Sequence, residues 1–421
     1  MASETWAKMT QHISTEIAVI GAGVIGLAVA HRLLAEGRDV VLCDPNLPGS
    51  GASYGNAGTI ADYAVMPVGT PDVLRNLPSL LLNKNSPLAI RRAALPSLMP
   101  WLMRFAVQSL PGATARNAGA IARLVADACP SWVALATQIG GEDILQRRGC
   151  LYMYETARAF KAARTDIAHK RSLGISVDLV GADGLARMEP GLPAAQGGAA
   201  FFPNAVFMSD PGAMVQHLAR DVRKTAGFVQ ARAETLTRRY DGMVVEGPGL
   251  RLHARKVVIA AGAHSRDLAR QAGDAVPLET ERGYHAEWDM AEPRLTRPVC
   301  PTSRGFYLCP MSGRLRVAGT VELGGLTAPP SPHRIAKLVE GARAIFPDLG
   351  EPDRTWMGFR PSMPDSVPVI GPSRAGSDVI HAYGHGHIGL TLAPITARIV
   401  ADIVAGREPE LDLTAYRPGR F

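Results

Sequence analysis

The chain has 421 residues, 47% hydrophobic and 20% charged, a composition that fits a folded globular protein and excludes a disordered or fibrous one. Its formal net charge is +7, but Lys and Arg form no block and no aromatic-interleaved stripe, so the charge suits an anionic cofactor, an acidic substrate or an anionic membrane surface rather than nucleic acid. The five cysteines, Cys43, Cys129, Cys150, Cys300 and Cys309, show no CxxC and no metal-ligand spacing, which leads us to expect reduced thiols, no metal and a cytoplasmic setting. The length predicts two domains. No apolar run reaches the ~18 residues of a membrane span, and residues 1–15, with Glu4, Lys8 and His12, lack the apolar stretch of a signal peptide.

In chain order, the β-branched run at 17–20 predicts a buried strand, followed by Gly21, Gly23 and Gly26 as GxGxxG. The first glycine allows a tight turn, the second lets a pyrophosphate approach the backbone, and the third lets the next helix pack against the sheet. That helix, over 24–36, opens with Val24 and Ile25, whose unpaired N–H groups point at the phosphate site, and stops at Gly37. A second strand at 40–42 leads to Asp44, 18 residues after Gly26, where a carboxylate bonds the hydroxyls of an adenosine ribose. Strand, glycines, helix, strand and acid in this order predict a bound dinucleotide. The fingerprint alone does not separate NAD from FAD.

The loop after Asp44, PNLPGSGASYGNAGTI, is long, small-residue and aperiodic. It resembles the flavin loop of the D-amino-acid oxidase-type flavoproteins, and its SxGNAG is similar to that of the bacterial D-amino-acid dehydrogenases. The resemblance implies that Ser53, Asn56, Ala57 and Gly58 flank the pyrophosphate and flavin of a bound FAD.

Residues 63–116 carry Arg75, Lys84, Arg91, Arg92, Arg104 and Arg116 against one acid, Asp72, with Leu, Met, Phe and Trp101 interleaved. Pro78, Pro87, Pro96 and Pro100 are expected to break the stretch into short helices. Basic, apolar and aromatic residues together suit an interfacial membrane helix. They suit equally a set of short helices laid over the active site with their arginines in water.

Helices are expected over 117–140, 160–173 and 212–225, a strand at 148–156, and antiparallel strands at 228–236 and 242–246. The strand at 257–260 runs into Ala261 and Gly262, which resembles the second flavin motif of the two-dinucleotide-binding fold. Residues 276–355 read as antiparallel sheet whose aromatics, Tyr284, Trp288, Phe306 and Tyr307, either line a pocket or fill a core. Tyr284 stands in an RGY that looks like the RGY of the D-amino-acid dehydrogenases. GFRP at 358–361 is similar to the strand that carries the carboxylate-binding arginine of D-amino-acid and glycine oxidases, which maps onto Arg360. A planar guanidinium matches a carboxylate with two parallel hydrogen bonds. In the final Gly-rich turn, Gly384, Gly386 and Gly389 precede a helix, and the resemblance implies that Gly384, Gly386, His387, Ile388, Gly389, Leu390 and Thr391 hold the flavin ring. His385 and His387 as HxH without a third ligand are weak for a metal; backbone packing beside the flavin and a role as base both remain open.

Taken together, the resemblance spans the whole chain and extends to the D-proline and D-hydroxyproline dehydrogenases. It implies an α/β flavoprotein with a Rossmann-like FAD-binding domain (1–65, 195–275, 355–421) and a mixed or antiparallel-sheet substrate domain (66–194, 276–354). No cysteine follows Cys309, so we expect non-covalent FAD, unlike the C-terminal cysteine linkage of sarcosine-type members. The expected reaction is oxidation of a D-amino acid by hydride transfer from Cα. Arg360, Tyr284, Tyr307 and His387 are expected around the substrate, and a quinone takes the electrons. The rivals are an oxygen-using oxidase, an oxidase of N-methyl amino acids, and a non-catalytic flavin-binding subunit.

Overall fold

The computed structural model describes residues 11–82, 88–194 and 197–421. Glu4, Lys8, Lys84 and Pro87, used above, lie outside the described residues.

Two large sheets organise the molecule. The first runs in the order Gly227–Val229, Val40–Cys43, Gln11–Ile20, Leu250–Ile259, Gly242–Gly247, Thr235–Arg239, with Gly376–Tyr383 also paired to Leu250–Ile259. Its centre is parallel, and alternation places successive side chains in different cores. Ile17 and Val19 enter the cluster formed with the helices Val24–Ala35 and Gly389–Val404, while Ala18 and Ile20 enter the cluster on the other face. A strand buried on both faces cannot alternate polar and apolar, which is why the run at 17–20 is uniformly apolar.

The second sheet runs Arg354–Ser362, Glu279–Asp289, Arg314–Leu323, Phe306–Met311, Val299–Pro301, Cys150–Tyr154, Gly198–Phe202, Asp178–Val180, with Leu88–Ile90 beside Arg314–Leu323. Sheet membership departs from the expected domain edges at two places. Gly198–Phe202 pairs antiparallel with Cys150–Tyr154, and Arg354–Ser362 pairs antiparallel with Glu279–Asp289, so both strands join the second sheet.

Three further readings are corrected. Residues 228–236 do not form one antiparallel strand: Gly227–Val229 pairs parallel with Val40–Cys43, and after a break Thr235–Arg239 pairs antiparallel with Gly242–Gly247. Neither Pro78 nor Pro100 ends a helix: position 78 lies within Pro71–Leu82, and Pro100 sits inside Leu95–Gln108, near its start, where its missing N–H removes a single bond. Two helical stretches, Pro111–Ile139 and Gly386–Val404, are long and apolar enough to span a membrane, but 50% and 67% of their apolar windows are buried within the protein. The second packs on Val24–Ala35 in the main core, which accounts for its apolar character.

Candidate active site

The carboxyl ends of the parallel strands form the first half of the site. Gly21 (φ 109°) turns the chain beneath Ala260, whose carbonyl would lie 2.4 Å from any Cβ there, and Gly26 packs so closely that a Cβ would meet the Gly21 carbonyl at 1.9 Å. Gly23 differs: a Cβ would touch only Ser53 Oγ, at 3.4 Å, so its bare backbone faces open space at the helix N-terminus. Asp44 accepts from Ala22 N at 2.8 Å through one oxygen and from Asn46 N at 2.8 Å through the other, which fixes the carboxylate while leaving lone pairs for a ligand. Ser53 Oγ accepts from Val24 N at 2.9 Å, tying the loop to the helix start, so the Val24 N–H, expected to be free for a phosphate, is already taken. Gly23, Asp44, Ser53, Asn56, Ala57, Ala261 and Gly262 are all partly open beside the buried strand ends, whereas Ile25, also partly open, packs on the core. A groove outside the carboxyl ends of parallel strands is where this architecture binds nucleotides.

Below the groove, the 53–58 loop is held by charge that the sequence reading missed. Arg316, fully buried, donates to Asn56 O at 2.5 Å and Tyr54 O at 3.2 Å and pairs with Glu287 at 2.7 Å. Glu287, 1% exposed, also pairs with Arg314 and Arg354. Burial alone would raise its pKa, but Arg316 and Arg314 hold it down to about 2. His285 donates from Nδ1 to Gly55 O at 3.3 Å and stacks on Trp356 at 5.1 Å, and Trp356 fills the space that a Cβ at Gly55 would need. The available signal was the charge at alternating positions, Glu287 in one strand and Arg314 and Arg316 in its neighbour.

The second half of the site comes from the second sheet and the C-terminal turn. Glu281, Gly283 and His285 share one face of their strand, and Glu281 is paired in register with Arg360. Arg360 is half-buried and donates from Nη1 to Thr320 O at 3.1 Å. Its pKa is lowered by its deep setting, against which Glu281 acts. The carboxyl of Glu281 is in turn pushed up by burial, with Arg360 and Ser362 pulling it back. His387 sits close enough that burial and the Arg360 cation push its pKa down to about 4, yet its ring is open to solvent. Deep-set groups that solvent still reaches mark an internal cleft. A cavity lined by Met66, Glu281, Ser362, His385 and His387 adjoins it. Gly384 (φ 84°) and Gly386 (φ 54°) shape the turn, and Ile388 is buried beneath it. The Leu390 carbonyl accepts from Trp132 Nε1 at 2.7 Å, tying the turn to the helix Ala128–Ile139, and Thr391 Oγ1 accepts from Ala61 N at 3.0 Å, tying it to the chain leaving the 53–58 loop.

The two tyrosines separate. Tyr307 is half-buried, its hydroxyl 2.7 Å from that of Tyr152, in an aromatic cluster with Tyr63. Tyr284 lies on the strand face opposite Arg360, 1% exposed, with its hydroxyl donating to Glu322 at 2.5 Å and accepting from Ser331 N at 3.2 Å. The structure therefore brings Arg360 and His387 together and places Tyr284 in a core ion network with Glu322 and the buried Arg282. Among the described residues no group of three or more His, Cys, Asp or Glu converges as a metal site.

Comparison with known proteins agrees with this geometry. The family model described as "FAD dependent oxidoreductase" matches residues 16–403. A D-amino-acid oxidase of Bradyrhizobium diazoefficiens is 34% identical over 96% of this chain and 98% of that protein. A D-amino acid dehydrogenase of Dechloromonas aromatica is 31% identical over 95% of this chain and 99% of that protein. The crystal structure of glycine oxidase from Geobacillus kaustophilus superposes with a TM-score of 0.77 at 23% identity, covering 97% of this chain and 99% of that one.

Proposed function

The chain belongs to the FAD dependent oxidoreductase family, and from that premise we propose that it oxidises the Cα–N bond of D-amino acids and passes the electrons to a membrane quinone. The residues present fit FAD. The bare backbone at Gly23 and the Asp44 carboxylate would hold the pyrophosphate and ribose, and the 53–58 loop with the 384–391 turn would hold the ring. Bound FAD supplies a two-electron acceptor.

The single observation that carries the substrate reading is Arg360, a half-buried guanidinium in the cleft whose one described hydrogen bond is to a backbone carbonyl. Its remaining donors suit a substrate carboxylate in the two-bond geometry of arginine. With the carboxylate anchored there, His387, whose pKa is pushed down to about 4 by its deep setting and the Arg360 cation, borders the cleft without adding a second cation. The preference for the D enantiomer draws support from the activities named for the two curated relatives. Arg360→Lys keeps the charge and removes the fork. We expect kcat/KM to fall at least about a hundredfold, at about 1.4 kcal/mol per tenfold, with FAD content and visible spectrum unchanged. Wild-type kinetics in that variant would remove the basis of the assignment.

The quinone reading draws on the helix Leu95–Gln108. One face, Leu98, Trp101 and Phe105, is buried against Leu323. The other exposes Leu95, Met99, Met103 and Val107 at successive i,i+4 positions, with Leu110 just beyond. Four of the eight large apolar side chains that stand exposed among the described residues lie on this stripe and a fifth, Leu110, just beyond it, so it is a patch rather than scatter. Arg92 and Arg104 are exposed beside it. Apolar side chains flanked by arginines suit the surface of an anionic bilayer, where a quinone resides. A soluble oxidase that reduces oxygen is the second reading, favoured by the name of the Bradyrhizobium relative.

A further inference from the structure

We propose that Gly283 is a positioning residue for Arg360: the bare backbone at this position is the seat across which the guanidinium lies. The inference rests on the reading of Arg360 as the carboxylate anchor.

Arg360 belongs to the strand Arg354–Ser362, while the carbonyl that accepts its hydrogen bond, Thr320 O, belongs to Arg314–Leu323. The strand Glu279–Asp289 lies between them in the sheet. To reach Thr320 at 3.1 Å the side chain must cross that middle strand, and it crosses at Gly283. A Cβ built there would stand 2.4 Å from Arg360 Cζ, 2.4 Å from Nη2 and 2.7 Å from Nε. All three atoms belong to the far end of one flexible side chain. Gly283 does not have positive φ, so alanine is acceptable to the backbone. The conflict a side chain introduces is therefore confined to the aim of Arg360.

The acceptor is prepared by the same local irregularity. The ladder between Glu279–Asp289 and Arg314–Leu323 pairs Arg282 with Glu322 and then Tyr284 with Gly319, so Thr320 and Val321 together face Gly283. This is a β-bulge, a device that releases a residue from regular pairing and redirects it. Thr320 takes a positive φ of 57°, which an ordinary ladder position does not require of a threonine. Its carbonyl is then available to Arg360. Bulge and glycine act together: one presents the acceptor, the other clears the path to it.

The test is Gly283→Ala in the FAD-loaded enzyme, alone and combined with Arg360→Lys. We read KM and kcat for a D-amino acid and the dissociation constant of benzoate, a carboxylate without the amine, from its perturbation of the flavin spectrum. A displaced guanidinium should raise KM and the benzoate constant by about ten- to a hundredfold, with a smaller effect on kcat. In the Arg360→Lys background the same alanine should change both by less than about twofold, because the group it displaces is gone. Equal losses in both backgrounds would signify general damage and overturn the proposal. Wild-type binding in Gly283→Ala beside a collapsed Arg360→Lys would overturn it while leaving Arg360 as the anchor. Wild-type behaviour of Arg360→Lys would overturn the anchor and the proposal together. An alanine variant that fails to fold or to hold FAD would also count against it, since the proposal places every displaced atom in one side chain.

Discussion

At the scale of single residues, the site combines charged groups kept apart from water with histidines kept neutral. His285 and His385 are buried, and burial pushes their pKa values down to about 4 and about 3. In the unfolded chain each ring titrates near its ordinary value of about 6.5. A ring whose folded pKa is depressed takes up its proton only on unfolding, so its neutral form contributes stability above about pH 6.5 that is lost as pH falls toward the folded value. The unfolded state then binds more protons, and stability should decline between about pH 6.5 and 4, by up to about 1.4 kcal/mol per pH unit for each ring. Unfolding curves across that range check this, and His385→Gln, which can retain a bond to Thr396, should flatten the slope. A slope unchanged in that variant would contradict the assignment. Arg360 was legible because it stands within a four-residue match and because arginine has a specific geometric use. Gly283 was not, since a glycine in a strand says nothing about which neighbouring side chain crosses it. Tyr284 shows the same limit from the other side: the RGY resemblance suggested an aromatic at the site, and the two-residue period of the strand turned it away.

At the scale of elements, two structures extend the reading. The 53–58 loop was recognised from its small residues, yet its fixation by Arg316 and Glu287 depends on sequence separations that no local pattern records. Glu287→Gln would leave Arg316 buried without its counter-charge, a loss on the order of 3 kcal/mol. We expect a matching fall in unfolding free energy together with weaker FAD retention. Unchanged retention would show that the clamp does not shape the loop. The helix Leu95–Gln108 is the second case. Its mixture of arginines and apolar residues was visible, but its two apolar faces were not, because Pro100 suggested a break where the helix continues. Met99→Glu with Met103→Glu places two charges on the exposed stripe. Pelleting with anionic vesicles at low salt should fall at least about tenfold, while reduction of FAD by substrate in solution stays unchanged. Equal pelleting of variant and parent would remove the membrane reading and leave the helix as a cover over the substrate sheet.

At the scale of the whole molecule, the two sheets meet across the cleft, and the chain passes between them repeatedly. The parallel sheet was legible because a strand buried on both faces writes itself as an uninterrupted apolar run, and because the glycine fingerprint demands a strand before it and a helix after it. The second sheet was legible as a type but not as a topology. Its strands alternate, but nothing local states that Arg354–Ser362 returns to pair with Glu279–Asp289 rather than extending the first sheet. That pairing is what carries Arg360 over the cleft. FAD held without a covalent link should be released as free yellow cofactor by acid precipitation, and its binding should raise the melting temperature in proportion to the logarithm of its concentration.

The central claim, that this cleft oxidises D-amino acids, is tested most directly by anaerobic titration of the FAD-loaded enzyme with a matched panel of D- and L-amino acids that includes proline and hydroxyproline. The account predicts that the flavin absorbance bleaches with one or more D-amino acids and persists with their L enantiomers. Bleaching by L-amino acids alone, or by no amino acid at all, would contradict it.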